Sequence, residues 1–168
     1  MSKAFTKDDA ASSEPIVLIA RAPLPENTPN YVSARGLSLL QRELAELEIE
    51  RKELTGEAED AERRRASTLL SARAAELSAR IATAVVVAAP ESRYEVRFGA
   101  CVRTLAADGS TRSYRIVGVD EADAAHGRVA FVAPLARALF GKRVGDVVTV
   151  RTPRGDEELE ISAIDYDP

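Results

Sequence analysis

From Ser33 onward the apolar positions recur at alternating spacings of three and four. Leu37, Leu40, Leu44, Leu47 and Leu54 form one stripe, with Arg51 at the position that completes it. Leu70, Ala74, Leu77, Ile81 and Ala84 form a second stripe, which extends backwards at the same spacing to Ser67 and Arg63. Heptad spacing of this kind predicts two helices that bury a common seam. If the chain folds back on itself, facing positions must have a constant sum, because one helix climbs while the other descends. The sum is 118 for Leu37 with Ile81, Leu44 with Ala74 and Arg51 with Ser67. It is 117 for Leu40 with Leu77, Leu47 with Leu70 and Leu54 with Arg63. The fold-back is therefore expected near position 59, with arms of about 25 residues reaching roughly 37 Å. A dimerising coiled coil is the competing reading. Gly56 and the constant sums favour the self-paired hairpin.

On either side of this stretch the pattern changes. Residues 1–31 lack periodicity and carry Pro15, Pro23, Pro25 and Pro29. Each proline removes a backbone donor and biases its predecessor to extended structure, so an extended or disordered arm is expected, with 16–19 as a possible short strand. From Pro90 the chain switches to β-branched and aromatic residues between turn signals, which predicts strands at 96–105, 112–119, 128–132, 146–152 and 157–166. Ala107-Asp108-Gly109 and Pro153-Arg154-Gly155 supply turns, and 134–141 reads as one short helix with Pro at its start and Gly at its stop. The expected fold is α+β: an arm over 1–31, an antiparallel coiled-coil hairpin over 32–89, and a small antiparallel β domain with one helix over 90–168.

Charge and composition narrow the chemistry. A net charge of -4 argues against binding bare duplex DNA, whose affinity comes from Lys and Arg neutralising phosphates. Cys101 is the only cysteine, so neither an intrachain disulfide nor a thiolate zinc cluster can form. Between Ala100 and Val102 it reads as a buried strand residue, and His126, the only histidine, as a loop residue. No apolar run approaches the ~20 residues needed to cross a bilayer, and the start lacks a signal core, so a cytoplasmic location is expected.

Over 98–166 specific motifs occur in a telling order. They are Phe98-Gly99-Ala100, Tyr114 to Asp123 (YRIVGVDEAD), Pro134-Leu135-Ala136-Arg137-Ala138-Leu139, Gly141-Lys142, Gly145-Asp146 and Thr152-Pro153 with Gly155. This series closely resembles the C-terminal domain of the Gre transcript-cleavage factors, also called transcription elongation factors. Ser2 to Thr6, Pro23-Leu24-Pro25 and Asn30-Tyr31-Val32 are similar to the opening of GreB-like members. The resemblance implies an FKBP-like C-terminal domain docked on the rim of the RNA polymerase secondary channel, with the hairpin inside the channel. Pro134, Leu135 and Arg137 would then be docking residues. It also implies that the chain has no catalytic residues or intrinsic metal of its own. In cleavage-active members a paired Asp and Glu at the hairpin tip help hold a second Mg2+ at the polymerase active site, where a metal-bound water is the better nucleophile.

Here the chain departs from that family pattern. Its tip reads Thr55-Gly56-Glu57-Ala58-Glu59-Asp60-Ala61-Glu62, with Gly56 where the family Glu should fall. The hairpin is also shorter than in the cleavage factors, by roughly 10 Å of reach at 1.5 Å per residue. Glu57, Glu59 and Asp60 are the candidates for Mg2+ ligation; the alternative is a solvated loop whose acids favour the start of the second helix. Arg63, Arg64 and Arg65 form a basic patch behind the tip, either a solvated face or a contact for polymerase acids or nascent RNA. The docking loop has Val132-Ala133 before Pro134, where family members often carry a polar residue. The leading function is a Gre-type elongation factor, with a non-cleaving channel competitor as its rival. A peptidyl-prolyl isomerase is the alternative of another class, disfavoured by the few aromatics after residue 98.

Overall fold

The computed structural model describes residues 21–55, 60–153 and 155–166. The possible strand at 16–19, Gly56 to Glu59 and Arg154 lie outside them. The described chain opens with a short strand β1 (Asn30–Val32), followed by two helices of 22 residues each, α1 (Ala34–Thr55) and α2 (Ala61–Ala82), and a second short strand β2 (Ala84–Val86). β1 and β2 pair in parallel, Asn30 opposite Ala84 and Val32 opposite Val86. Parallel neighbours require a crossover, and here the crossover is the whole hairpin.

The heptad seam is where the pattern placed it. Val32, Leu40, Leu47, Leu70 and Leu77 are buried in one cluster, with Leu37, Leu44, Leu54, Ile81 and Ala84 packed half-buried against it. Ala74 is buried as well. Most of the seam is aliphatic, and toward the free end it gives way to half-buried Arg51, Arg63 and Ser67. The fold-back expected near position 59 lies outside the described residues, between the end of α1 at Thr55 and the start of α2 at Ala61.

The C-terminal part is a five-stranded sheet in the order β5-β4-β3-β7-β6. Its strands are β3 (Cys101–Ala106), β4 (Thr111–Val117), β5 (Arg128–Ala130), β6 (Val147–Thr152) and β7 (Gly155–Asp165), with helix α3 (Pro134–Leu139) between β5 and β6. Inward residues alternate along the strands: Val102 and Thr104 on β3, Val148 and Val150 on β6, Leu159 and Ile161 on β7. Such alternation marks a sheet with one face on the core. Ala136 and Leu139 of α3 close that core from above, each fully buried. The register of β3 on β7 slips between Arg103 and Thr104, a bulge that bends the sheet. Gly109 and Gly155 take positive φ (81° and 119°) in the two hairpin turns, as their turn motifs predict.

Three expectations need correction. The sheet is not wholly antiparallel, because β5 runs parallel to β4. Two single-turn 3-10 helices, Val119–Glu121 and Ala124–His126, carry the chain back so that it re-enters in the same direction. The boundary at 31/32 falls inside β1, so Asn30 and Tyr31 belong with the hairpin rather than the arm. Cys101 is half-buried rather than buried, since it opens β3 at the end of the sheet.

Tyr166 closes the β domain. Its buried hydroxyl donates to the Glu95 carbonyl at 2.5 Å and accepts from the Arg97 amide at 2.8 Å. Burial raises its pKa above the ordinary phenol value of 10.0. The unfolded chain therefore ionises first, so this contribution is intact below pH 10.0 and is lost as pH rises beyond it. Tyr166→Phe is expected to cost about 1–2 kcal/mol, the worth of two hydrogen bonds that leave backbone groups unpaired. Its melting curve should also lose part of the parent's alkaline sensitivity; identical curves from pH 8 to 11 would contradict this.

Candidate functional site

Three places carry candidate chemistry: the hairpin tip, the start of α3, and the joint between hairpin and β domain. At the tip, Glu57 and Glu59 lie outside the described residues. Asp60 is described and exposed. It is the N-cap of α2, and its Oδ1 accepts from the Arg63 amide at 2.8 Å. An aspartate here satisfies an otherwise unpaired helix amide and places negative charge at the positive end of the helix dipole. One of its oxygens is therefore committed to the helix. Among the described residues no group of three or more His, Cys, Asp or Glu side chains is arranged to hold a metal ion. Just behind the cap, Arg64 and Arg65 are exposed and Arg63 is half-buried in the seam.

At the start of α3, Ala133 is the N-cap without a side-chain bond, and Pro134 occupies the first turn, where its missing N–H costs nothing. The Ala133 amide donates to the Ala130 carbonyl at 2.9 Å, which makes the turn tight. Pro134 and Arg137 are exposed, while Leu135 divides its surface between solvent and the β core. The three candidate docking residues thus stand on one short, well-anchored turn.

The joint was not singled out from the sequence. Asp120, whose side chain is only 3% exposed, accepts from Arg80 Nε at 2.7 Å and from Arg21 Nη1 at 3.2 Å. Arg21 also pairs with Glu43 of α1, and Arg80 donates to the Ala22 carbonyl. The Arg21 guanidinium loses some basicity to burial, but Glu43 and Asp120 more than offset this and its pKa is raised. Asn30 donates to the Arg80 carbonyl at 2.8 Å and caps the end of α2. Tyr31, Phe98 and Phe131 pack on one another with ring centroids 5.4 to 6.1 Å apart, joining β1 to the sheet. Gly118 lies so close to β1 that a Cβ there would sit 2.5 Å from the Tyr31 carbonyl oxygen. His126 is in an exposed turn as expected, its Nδ1 2.6 Å from Asp123 Oδ2. That contact, with Arg128, lowers the pKa of Asp123.

A helical hairpin seated on a curled sheet by a polar and aromatic joint defines a two-part α+β architecture. The sequence profile "Transcription elongation factor, GreA/GreB, C-term" matches residues 91–166. GreB of Neisseria meningitidis is 44% identical over 93 residues, which cover 54% of this chain and 56% of that protein. The chain therefore spans little more than half of that relative. GreA of Alkalilimnicola ehrlichii is 35% identical over 152 residues, covering 80% of this chain and 96% of GreA. Among solved structures, Gfh1 of Thermus thermophilus is 23% identical over 82% of this chain and 99% of that one, with a TM-score of 0.40. The chain belongs to the GreA/GreB family of transcription elongation factors. These likenesses lend no support to a peptidyl-prolyl isomerase. No described helix is long and apolar enough to cross a membrane.

Proposed function

We propose that this protein binds bacterial RNA polymerase through its β domain, with Pro134, Leu135 and Arg137 at the contact, and projects its hairpin into the secondary channel. The observation that carries this reading is the family match over 91–166, the part of the chain that presents the α3 turn. Residues 90–168 act as the docking unit and 32–89 as the probe. The protein works where the polymerase does, in the cytoplasm. It performs no chemistry of its own: any RNA hydrolysis belongs to the polymerase.

Within that reading, the tip favours a channel occupant that delivers no effective metal ligand. Helices of 22 residues reach about 33 Å, and Asp60 already serves the α2 cap. Mg2+ takes carboxylate oxygens at about 2.1 Å, so even a small shortfall in reach removes the effect. Transcript cleavage on stalled polymerase complexes tests this. The protein is expected to stimulate cleavage weakly or not at all and to suppress cleavage stimulated by an added GreA. Should cleavage be stimulated, Glu57, Glu59 and Asp60 are the ligands, and replacing all three with Ala abolishes it while polymerase binding persists. Strong Mg2+-dependent cleavage that survives the triple substitution would overturn the tip assignment. Loss of all polymerase binding on Pro134→Ala with Arg137→Ala, in a folded protein, is the matching expectation for the dock.

A further inference from the structure

We propose that Glu121 is the capping glutamate of α1, supplied from the β domain, and that with Gly36 it sets the direction in which the hairpin projects. A helix start leaves backbone N–H groups without partners. In a capping box the N-cap serine accepts from the amide three residues on, and a Glu at that third position reaches back to the N-cap amide. The first half is present here: Ser33 Oγ accepts from the Gly36 amide at 2.9 Å. The second half cannot come from position 36, which has no side chain. Glu121 supplies it instead, with Oε2 accepting from the Ser33 amide at 2.9 Å and Oε1 accepting from the Ser33 hydroxyl. The same Oε2 accepts from the Gly118 amide at 3.3 Å, which ties the carboxylate to its own turn.

Gly36 is what admits the visiting carboxylate. A Cβ at position 36 would lie 2.2 Å from Glu121 Cδ and 2.4 Å from Oε2, far inside contact distance. Glycine within a helix otherwise weakens it relative to alanine. Its use in the first turn of α1 is explained by the space it leaves. Next in sequence, Asp120 holds Arg80 on α2. Two consecutive carboxylates on one 3-10 turn therefore hold the start of α1 directly (Glu121) and the end of α2 directly (Asp120), with Arg21 linking Asp120 on to Glu43, and the hairpin cannot swing without releasing both. Glu121 and Asp120 are positioning residues, and the inference stands whatever partner the hairpin meets.

The test uses the full chain with spin labels at Glu46→Cys on α1 and Glu158→Cys on β7, native Cys101 being replaced by Ser. The parent is expected to give one narrow distance distribution. Gly36→Ala should broaden and shift it, and should raise amide exchange at Ser33 by about tenfold or more, the scale of a lost hydrogen bond to a charged group. In a Glu121→Ala background the obstruction is gone, so the same Gly36→Ala change acts through helix propensity alone and should raise hairpin melting temperature. The sign of the glycine effect thus depends on residue 121. An equal effect of Gly36→Ala in both backgrounds, or a distribution as narrow as the parent's, overturns the proposal. If Gly36→Ala does not fold, Glu121→Ala alone decides: both domains folded with Ser33 still protected from exchange would refute it, and selective loss of protection there would uphold it.

Discussion

Leu77→Asp unfolds the hairpin and leaves the β domain standing. Leu77 is 1% exposed and shares the seam with Leu40, Leu47, Leu70 and Val32. Truncating a buried leucine costs about 2–5 kcal/mol, and a carboxylate in its place adds several more unless the seam opens to water. Whole domains are stable by only about 5–15 kcal/mol, and a seam this small cannot absorb such a loss. The readout is clean because α1 and α2 have 22 residues each while α3 has six. Ellipticity at 222 nm should fall to a small remainder, with a separate β-domain transition preserved. Leu39→Asp, on an exposed site of α1, should change little. Retained helicity in Leu77→Asp would mean that the seam is assigned to the wrong face.

The second large effect is at the joint. Asp120→Ala leaves the guanidinium groups of Arg80 and Arg21 facing one another without the carboxylate that separates them. Breaking a fully buried pair costs about 3–5 kcal/mol; because these arginines keep 13% and 23% of their side-chain exposure, about 2–3 kcal/mol is expected here. Asp120→Asn should lie between, since it keeps an acceptor without the charge. Urea denaturation measures the loss, and limited proteolysis should find new cuts between residues 21 and 33. A variant as stable and as resistant as the parent would show that the cluster is a solvated surface pair.

The hairpin was legible because six successive seam layers repeat one rule, and the constant position sum turns a pattern into a pairing. The strands of the β domain were legible from a different signal, β-branched and aromatic residues gathered between turn residues, as in Val147-Val148-Thr149-Val150. β1 and β2 were not, since three residues are too few to display any period. The parallel β5 was missed because its direction is set by the two 3-10 turns before it, which carry no hydrophobic repeat. The joint was opaque for a different reason. Its bonds link residues 40, 88 and 99 positions apart, and no local spacing announces that Asp120 and Glu121 serve helices elsewhere in the chain. The role of Asp60 was half visible: an acid at a helix start is a cap by local chemistry alone, whereas the placement of Glu57 and Glu59 is outside what the structure describes.

The parallel pairing of β1 with β2 has a consequence for how this architecture varies. Both roots of the hairpin are paired side by side, so the hairpin is a loop whose two ends are joined at one place. Seven residues can be added to or removed from each helix without disturbing the base, provided the changes are matched and the seam keeps its phase. Each such step alters the reach by about 10 Å. Length is then a dial independent of the base, and selection can turn it without redesigning the β domain. Shortening or lengthening both helices in matched steps therefore changes how far the hairpin extends while the pairing at its base stays the same.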